Sequence, residues 1–361
     1  MAFSENAGAV SALSGLYDRY GYSLYKMNKF EEYDLYAAHR DFLPSEGVIT
    51  FTDTDGKLMA LKPDVTLSIA KNCRLEPGEI RKLYYSESVY RVSGSSRSFR
   101  EMPQMGLECI GQVDDYCLAE ALTLAAKSLA LLSPRAVLSV SHLGVAADLL
   151  EIAGVAPERR AGVLALMGER NLHGIRERLG EGEGYALIRE LLAVSGGPDR
   201  GIRQAEALFP GQPPESLIRF RRILRGAEAA GAGETLRVDF SVVDDMHYYN
   251  GIVYKGFIQG VPRSLLSGGQ YDRLMQQMGK SCGAVGFALY LDMLEPLYEK
   301  KDRFDADVLL CYGPEEEPAA VARAVAQLTA GGERVLARPT GAGVNCRRIC
   351  RLTHGEVRED A

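Results

Sequence analysis

The sequence predicts an α+β fold: an antiparallel sheet flanked by helices, with a helical insertion and a short C-terminal α/β segment. Alternating apolar and polar residues, typical of strands, fill residues 48–61 and 79–112, and the pattern returns after residue 234. Between these stretches, residues 144–230 read as short helices separated by glycine and proline. Because strands lie on both sides of this helical block, we expect one sheet domain with an insertion.

Composition excludes several broad classes of protein. A chain of 361 residues is long enough for two domains, and a net charge of -6 argues against a broad basic surface for nucleic acid. The chain has no signal-peptide pattern and no apolar run near the ~20 residues of a membrane span. We therefore expect a cytoplasmic protein without membrane contact.

The cysteines do not predict a metal site. The seven cysteines lack paired CxxC spacing. Cys346 and Cys350 in "CRRIC" are spaced one helical turn apart, but a closed zinc site needs four ligands, so we interpret both as half-buried structural residues. We expect neither a metal nor a cofactor.

The first part of the chain alternates between helical and strand patterns. Residues 1–43 read as helical, because apolar and aromatic residues recur at three- and four-residue spacing. Residues 48–61 read as a hairpin around Asp55-Gly56. "KPDVTLSIAKNC" reads as a loop entering a helix, with Asp64 in the first turn, where a negative charge suits the helix dipole.

The middle of the chain supplies the main strands. "EIRKLYYSESVYRV" and "REMPQMGLECIGQ" read as strands flanking the polar loop "SGSSRSF", followed by a helix over 116–132 and the strand "RAVLSVSH". After the insertion, "TLRVDFSVVDD", "GIVYKGFIQG" and "RSLLSGGQYDRL" resume the sheet, and residues 242–257 read as a hairpin. From residue 305 a strand-helix-strand pattern begins a parallel α/β segment that is too short for a usual independent domain.

Polar side chains gather on two adjoining predicted strands. Gln104 and Glu108 are four residues apart on one strand and so point to the same face, and Arg91 lies on the preceding strand. Such a face either binds a polar ligand or is a solvated outer face with surface ion pairs. The two glycines of "SGGQYDRL" either allow close approach of a ligand or mark a bulge. The pattern leaves both alternatives open.

Five ordered landmarks resemble the histidyl-tRNA synthetases, a class II aminoacyl-tRNA synthetase family, over roughly residues 10–300. They are "LKPDVT", "YRVSGSSRSFREMPQMGLECIG", "MHYYNGIVY", "SGGQYDRL" and "AVGFALYLDML". The resemblance implies a class II synthetase-like domain over 1–300 and a truncated anticodon-binding-like segment over 305–361. It also implies a set of histidine-binding residues: Asp64, Thr66, Arg91, Gln104, Glu108, Tyr248 and Tyr249.

The chain departs from the family at positions that serve activation of the amino acid with ATP. Asp244 and Met293 stand where the synthetases carry arginines, and Ser93 stands where they carry a glutamate. Tyr290 replaces a small residue, in what we expect to be a turn before the motif 3 helix. Losing one group that stabilises developing phosphate charge typically slows catalysis ~100-fold or more. We therefore expect no catalytic residues in this chain.

This combination of features resembles the regulatory subunits of ATP phosphoribosyltransferase. The resemblance implies a short-form catalytic subunit as partner, histidine as feedback effector, a homodimer within an octameric hetero-oligomer, and no charging of tRNA. Two alternatives remain: a working histidyl-tRNA synthetase, or another synthetase paralogue that acts as an amino-acid sensor.

Overall fold

A mixed eight-stranded sheet forms the centre of residues 1–297, one of two units into which the chain divides, the other being residues 298–361. The computed structural model describes residues 6–43, 47–92, 98–243, 248–297, 304–339 and 343–360. The strands of the first unit are β1 (Ser23–Leu24), β2 (Phe30–Glu32), β3 (Thr50–Thr52), β4 (Leu58–Leu61), β5 (Ile80–Val92), β6 (Phe99–Gly111), β7 (Ala136–His142), β8 (Leu236–Val238), β9 (Ile252–Ile258), β10 (Leu266–Gln270) and β11 (Gly283–Tyr290).

Helices surround this sheet and form the insertion. They are α1 (Asn6–Arg19), α2 (Tyr33–Ala38), α3 (Thr66–Asn72), α4 (Asp115–Leu132), α5 (Leu143–Ile152), α6 (Pro157–Gly168), α7 (Leu172–Leu179), α8 (Glu183–Ala193), α9 (Pro198–Glu206), α10 (Glu215–Ala229) and α11 (Asp272–Gln277). Short 3-10 helices occupy Arg40–Phe42 and Leu291–Leu297. None of the helices in the described ranges combines the length and the apolar character that crossing a bilayer requires.

The prediction of an antiparallel sheet is confirmed for its centre and wrong at its edges. The strand order is β1-β5-β6-β11-β10-β9-β7-β8, and the pairs from β5 through β7 are antiparallel. At the edges, β1 pairs with β5 and β8 pairs with β7 in parallel. A parallel pair needs a crossover connection, and the helical insertion supplies one between β7 and β8.

The N-terminal segment contains less helix than its spacing predicted. Helix α1 ends at Arg19, and Gly21 follows with a φ of +78°, a left-handed conformation that stops helices. The chain then forms β1, β2 and α2. Tyr17 of α1, Tyr22 between α1 and β1, and Tyr36 of α2 are all buried, which is why their spacing resembled a single helix face.

The hairpin at residues 48–61 is confirmed. Strands β3 and β4 pair antiparallel, and β2 joins them in a small sheet of order β2-β4-β3. The Asp53 carboxylate accepts hydrogen bonds from the backbone N–H groups of Asp55 and Lys57 at 2.9 and 2.8 Å. Gly56 adopts a φ of +81°, so the turn takes the left-handed geometry that Asp-Gly favours.

The helix predicted over 116–132 is confirmed as α4, and most of its alanine and leucine side chains are buried. The Asp114 side chain caps its N-terminus by accepting a hydrogen bond from the Cys117 N–H at 2.9 Å. The helical insertion is also confirmed. The predicted hairpin at residues 242–257 is wrong where it can be compared, because Val242 and Val243 are not in a strand and only β9 is; Asp244 to His247 lie outside the described residues.

The second unit, taken by itself, is a small α/β sheet. Its elements are β12 (Ala306–Tyr312), α12 (Pro318–Ala330), β13 (Val335–Arg338), β14 (Cys346–Thr353) and β15 (Glu356–Glu359), with β12 parallel to β13 and β14. The predicted strand-helix-strand unit is confirmed. Cys346 and Cys350 lie on β14, so reading them as one helical turn apart was wrong; exposure alternates along the strand with a period of two.

Candidate functional site

All seven residues that the resemblance assigned to histidine binding line one cavity of about 180 Å³ above the central strands. They are Asp64, Thr66, Arg91, Gln104, Glu108, Tyr248 and Tyr249. By this measure a water needs roughly 10–15 Å³, so the cavity has room for a small molecule. The structure brings these side chains together, and their roles in binding remain a prediction.

Strand register explains why residues distant in sequence meet here. Residues directly opposite each other on neighbouring strands share a face. Glu108 of β6 pairs with Gly286 of β11, and Gln104 pairs with Tyr290 of the same strand. These two rows are four residues apart, at roughly 3.3 Å each, so the cavity runs along the strands for about 13 Å. Gln104 and Glu108 are each 2% exposed, which contradicts the alternative of a solvated outer face.

Glu108 is a buried residue of the cavity lining. Its carboxylate accepts hydrogen bonds from the Thr66 hydroxyl at 2.7 Å and from the Tyr271 hydroxyl at 2.5 Å. Burial raises the pKa of Glu108 to about 8; the two hydroxyls oppose this rise and the neighbouring Asp64 adds to it. At neutral pH this carboxyl therefore holds its proton for much of the time, until a ligand that favours the charged form enters.

Glycines beneath the cavity make space for the protein's own side chains. A Cβ at Gly286 would lie 1.8 Å from Glu108 Oε2, and a Cβ at Gly269 would lie 2.7 Å from the Tyr249 ring. Strand β10, which contains Gly269, pairs in regular register on both sides. The glycines of "SGGQYDRL" thus mark close side-chain approach and no bulge.

Aromatic rings form one wall of the cavity. The rings of Tyr248 and Tyr249 are 4.6 Å apart between centroids, and Tyr248 also contacts Tyr271 at 5.7 Å and Phe42 at 5.8 Å. Their faces carry the negative part of the ring quadrupole and suit a flat, partly positive ring such as imidazole. The wall can therefore accept an aromatic amino-acid side chain.

The segment from Lys62 to Asp64 is bound tightly to β5. The Arg91 Nε donates to the Pro63 carbonyl at 2.9 Å, and the Tyr90 N–H donates to the Lys62 carbonyl at 2.9 Å. The Asp64 carboxylate accepts from the Leu67 N–H at 2.9 Å, which orients it at the start of α3. Burial raises the pKa of Asp64, although the Leu67 hydrogen bond and Arg91 oppose the shift.

The Lys62 side chain is fully buried and pairs with Glu87, whose side chain is 17% exposed. Lys62→Met would leave the Glu87 carboxylate without this cation, and we expect the free energy of unfolding to fall by about 2–3 kcal/mol in urea denaturation. The double variant Lys62→Met/Glu87→Leu removes both charges and should regain at least about half of that loss. An equal loss in the single and double variants would contradict this role of the pair.

The charges of the cavity suit a free amino acid. Among its described lining residues, Arg91 is the one cation, facing two carboxyls, Asp64 and Glu108. The buried Gln104 Nε2 has no hydrogen-bond partner among the described residues, so it can donate to a ligand. A zwitterion can place its carboxylate by Arg91 and its ammonium by Asp64, whereas a triphosphate would meet more carboxyls than cations in this lining.

Sequence reasoning missed part of the lining. Tyr85, Tyr271 and Ser267 also line the cavity. Tyr271 directly follows the strand in "SGGQYDRL", so its place next to the glycines was the available signal. Tyr290 ends strand β11 and lines the cavity, so its expected place in a turn was wrong, because β11 continues to that residue.

Of the three departures from the synthetase pattern, only Met293 lies within the described residues. Met293 is half-buried in the 3-10 helix Leu291–Leu297 and is not among the lining residues. The expected motif 3 helix is thus a 3-10 helix where it is described. Ser93 and Asp244 lie outside the described residues.

Comparison with protein families and curated relatives places the chain in context. The sequence profile described as "Histidyl-tRNA synthetase" matches residues 1–294. A protein of Clostridium kluyveri named "ATP phosphoribosyltransferase regulatory subunit" is 29% identical over 86% of this chain and 84% of its own length. A Bacillus subtilis protein of the same name is 27% identical over 90% of this chain and 85% of its own length.

Solved structures share the fold. An "ATP phosphoribosyltransferase regulatory subunit/histidyl-tRNA synthetase" from Bacillus halodurans has a TM-score of 0.77 at 23% identity, covering 93% of this chain and 89% of that one. Histidyl-tRNA synthetase from Nostoc has a TM-score of 0.78 at 16% identity, covering 99% and 93%. The "ATP phosphoribosyl transferase (HisG:HisZ) complex" from Thermotoga maritima has a TM-score of 0.62 at 17% identity, covering 78% and 96%. The predicted class II synthetase-like fold is confirmed.

Proposed function

Because the chain belongs to the histidyl-tRNA synthetase family, we propose that it has kept the amino-acid pocket and has lost the activation of the amino acid with ATP. In this proposal it serves as the regulatory subunit of ATP phosphoribosyltransferase. The observation that carries this proposal is the lining of the cavity: one arginine and two carboxyls beside a tyrosine wall. The names of the curated relatives support the same function.

Each end of a histidine molecule has a matching group in the cavity. Arg91 binds the carboxylate and Asp64 binds the ammonium. Glu108 accepts a hydrogen bond from an imidazole N–H, Thr66 holds Glu108 in place, and the imidazole ring packs against Tyr248 and Tyr249. Gln104 donates its Nε2 hydrogens to the ligand.

The loss of amino-acid activation with ATP follows from the side-chain charges at two positions. The two sequence positions that would carry phosphate-binding arginines hold Asp244 and Met293. Replacing a cation by a carboxylate inverts the local field, which disfavours a triphosphate. The chain thus binds histidine without charging tRNA, and the phosphoribosyl transfer takes place on the partner subunit.

Regulation follows from linkage between histidine binding and assembly. If histidine binds one state of the complex more tightly than another, it shifts the balance by that difference in affinity, commonly about 1–3 kcal/mol. The partner is the short-form catalytic subunit. The proposed assembly is a cytoplasmic octamer that contains homodimers of this chain, and native mass spectrometry of the mixed subunits measures its composition.

Reconstitution tests the proposed function. We expect the short catalytic subunit to form phosphoribosyl-ATP at least about tenfold faster when this chain is added, and histidine to reverse that gain. The same assay with Arg91→Met in this chain should keep the activation and lose the inhibition, since the carboxylate of histidine loses its partner. No activation of the catalytic subunit would contradict the proposal.

A working synthetase is the second candidate, because the family profile covers residues 1–294 and Arg91 is retained. It predicts histidine-dependent exchange of pyrophosphate into ATP. We expect no exchange above background. Exchange that disappears in Arg91→Met would establish the synthetase and overturn the regulatory function.

A further inference from the structure

Tyr290 lines the cavity from β11, at a distance from Glu108 along the strands. It is the last residue of β11, and its register partner on β6 is Gln104, about 13 Å along the strand from Glu108 when each residue adds roughly 3.3 Å. Its backbone N–H donates to the Leu265 carbonyl at 2.8 Å, and this hydrogen bond fixes the backbone from which the side chain extends. The half-buried Tyr290 side chain lines the cavity.

Arg91 lies on the same side of Glu108 along the strands. It also lines the cavity, and its position on β5 is beyond Glu87, the register partner of Gln104. The aromatic ring and the arginine therefore bound the same part of the cavity.

We infer that Tyr290 determines specificity by narrowing the cavity beside the ligand's carboxylate, so that free histidine is accepted and histidine extended through its carboxyl group is excluded. This inference rests on the proposed function, since it assumes that histidine enters with its carboxylate toward Arg91. A carboxylate beside Arg91 needs only the space of two oxygens. An ester, a substituted amide or an acyl-nucleotide adds atoms that would overlap the tyrosine ring.

The neighbouring cavity residues of β11 are small. Gly286, Ala288 and Tyr290 are two residues apart and so lie on the same face of β11, the cavity face; the first two are small. The ring of Tyr290 is thus the bulky group on this row of β11. A clash built into a site is a common means of rejecting a near relative of the true ligand.

Binding of three probes to the wild type, Tyr290→Ala and Tyr290→Phe tests this inference. The probes are L-histidine, L-histidinamide, which loses the negative charge with little added bulk, and a bulky non-hydrolysable derivative, 5′-O-(N-histidylsulfamoyl)adenosine. Calorimetry should show that Tyr290→Ala binds the bulky derivative at least about tenfold more tightly than wild type does. For histidine, and separately for histidinamide, the affinity of Tyr290→Ala should be within about threefold of the affinity of wild type.

Tyr290→Phe is the matched control, because it keeps the ring and should exclude the bulky derivative as wild type does. Tyr290 is half-buried at a strand end, so truncation opens the cavity to solvent, and a thermal melt verifies that Tyr290→Ala is folded; Tyr290→Ser serves as a second opening variant. Tight binding of the bulky derivative by wild type, or no gain in either opening variant that still binds histidine, would overturn the role of Tyr290. Absence of histidine binding in wild type would instead overturn the proposed function, and this inference with it.

Discussion

Glu108→Gln is expected to weaken histidine binding about 10- to 100-fold at pH 8.5, where the wild-type carboxyl is mostly ionised. The amide retains the shape of the side chain but is a weaker acceptor for an imidazole N–H. The amide keeps an acceptor oxygen for one of the Thr66 and Tyr271 hydroxyls and presents its NH2 group to the other, which can rotate to accept, so the cavity should keep its form. Calorimetric titration with histidine measures the effect.

The same substitution is expected to stabilise the unliganded protein as the pH rises. The pKa of Glu108 is about 8 when folded, against an ordinary value of 4.5. Its contribution to the free energy of unfolding is fully present below about pH 4.5 and is lost as the pH rises to about 8, because the unfolded chain releases its proton first. The amide of Glu108→Gln does not titrate, so the free energy of unfolding of this variant should rise relative to wild type across this window, by about 4–5 kcal/mol at pH 8.5.

Urea denaturation of both proteins at pH 5 and at pH 8.5 measures this difference. Glu101→Gln is the matched control, because Glu101 lies on the same strand and is exposed, so it should leave both stability and histidine binding unchanged. A lower free energy of unfolding for Glu108→Gln than for wild type at pH 8.5 would show that the carboxylate stabilises the folded protein, and would contradict its role as a binding group.

Gly286→Ala is expected to lower the free energy of unfolding by several kcal/mol, on the order of 3, and to abolish histidine binding. The added Cβ would lie 1.8 Å from Glu108 Oε2 and 2.4 Å from the Leu107 carbonyl oxygen. The carboxylate can rotate away only by leaving Thr66 and Tyr271, and the carbonyl belongs to the backbone of the paired strand. Either adjustment displaces the group that binds imidazole.

Gly8→Ala is the matched control for Gly286→Ala. Gly8 lies in α1, and an added Cβ would meet nothing within 4 Å, so this change should be neutral or stabilise by up to about 1 kcal/mol. Urea denaturation followed by titration with histidine covers both effects. Wild-type stability and affinity in Gly286→Ala would mean that the strands can separate freely at this point, contrary to the packing described here.

The sequence alone was sufficient for the long central elements. Strands β5 and β6 and helix α4 carry strong periodic patterns, and the turn of Asp55-Gly56 has its own chemistry, so their places were predictable. The region before residue 43 was not, because buried tyrosines in separate short elements imitate one helix face. The edge strands β1 and β8 are too short to produce a period of their own.

The site was predictable as a set of residues, through the family resemblance, and less so as a shape. Gln104 and Glu108 could be placed on one face by their spacing. The hydrogen bond of Tyr271 to Glu108 and the position of Tyr290 depend on the register between β6 and β11, which are distant in the chain. No local pattern in the sequence contains that register.

The most direct test is a pair of calorimetric titrations of the isolated wild-type chain, one with histidine and one with ATP and magnesium. We expect a saturable heat with histidine that Glu108→Gln weakens, and no saturable heat with ATP. No binding of histidine, or saturable binding of ATP, would contradict a pocket that retains the amino acid and has lost the nucleotide.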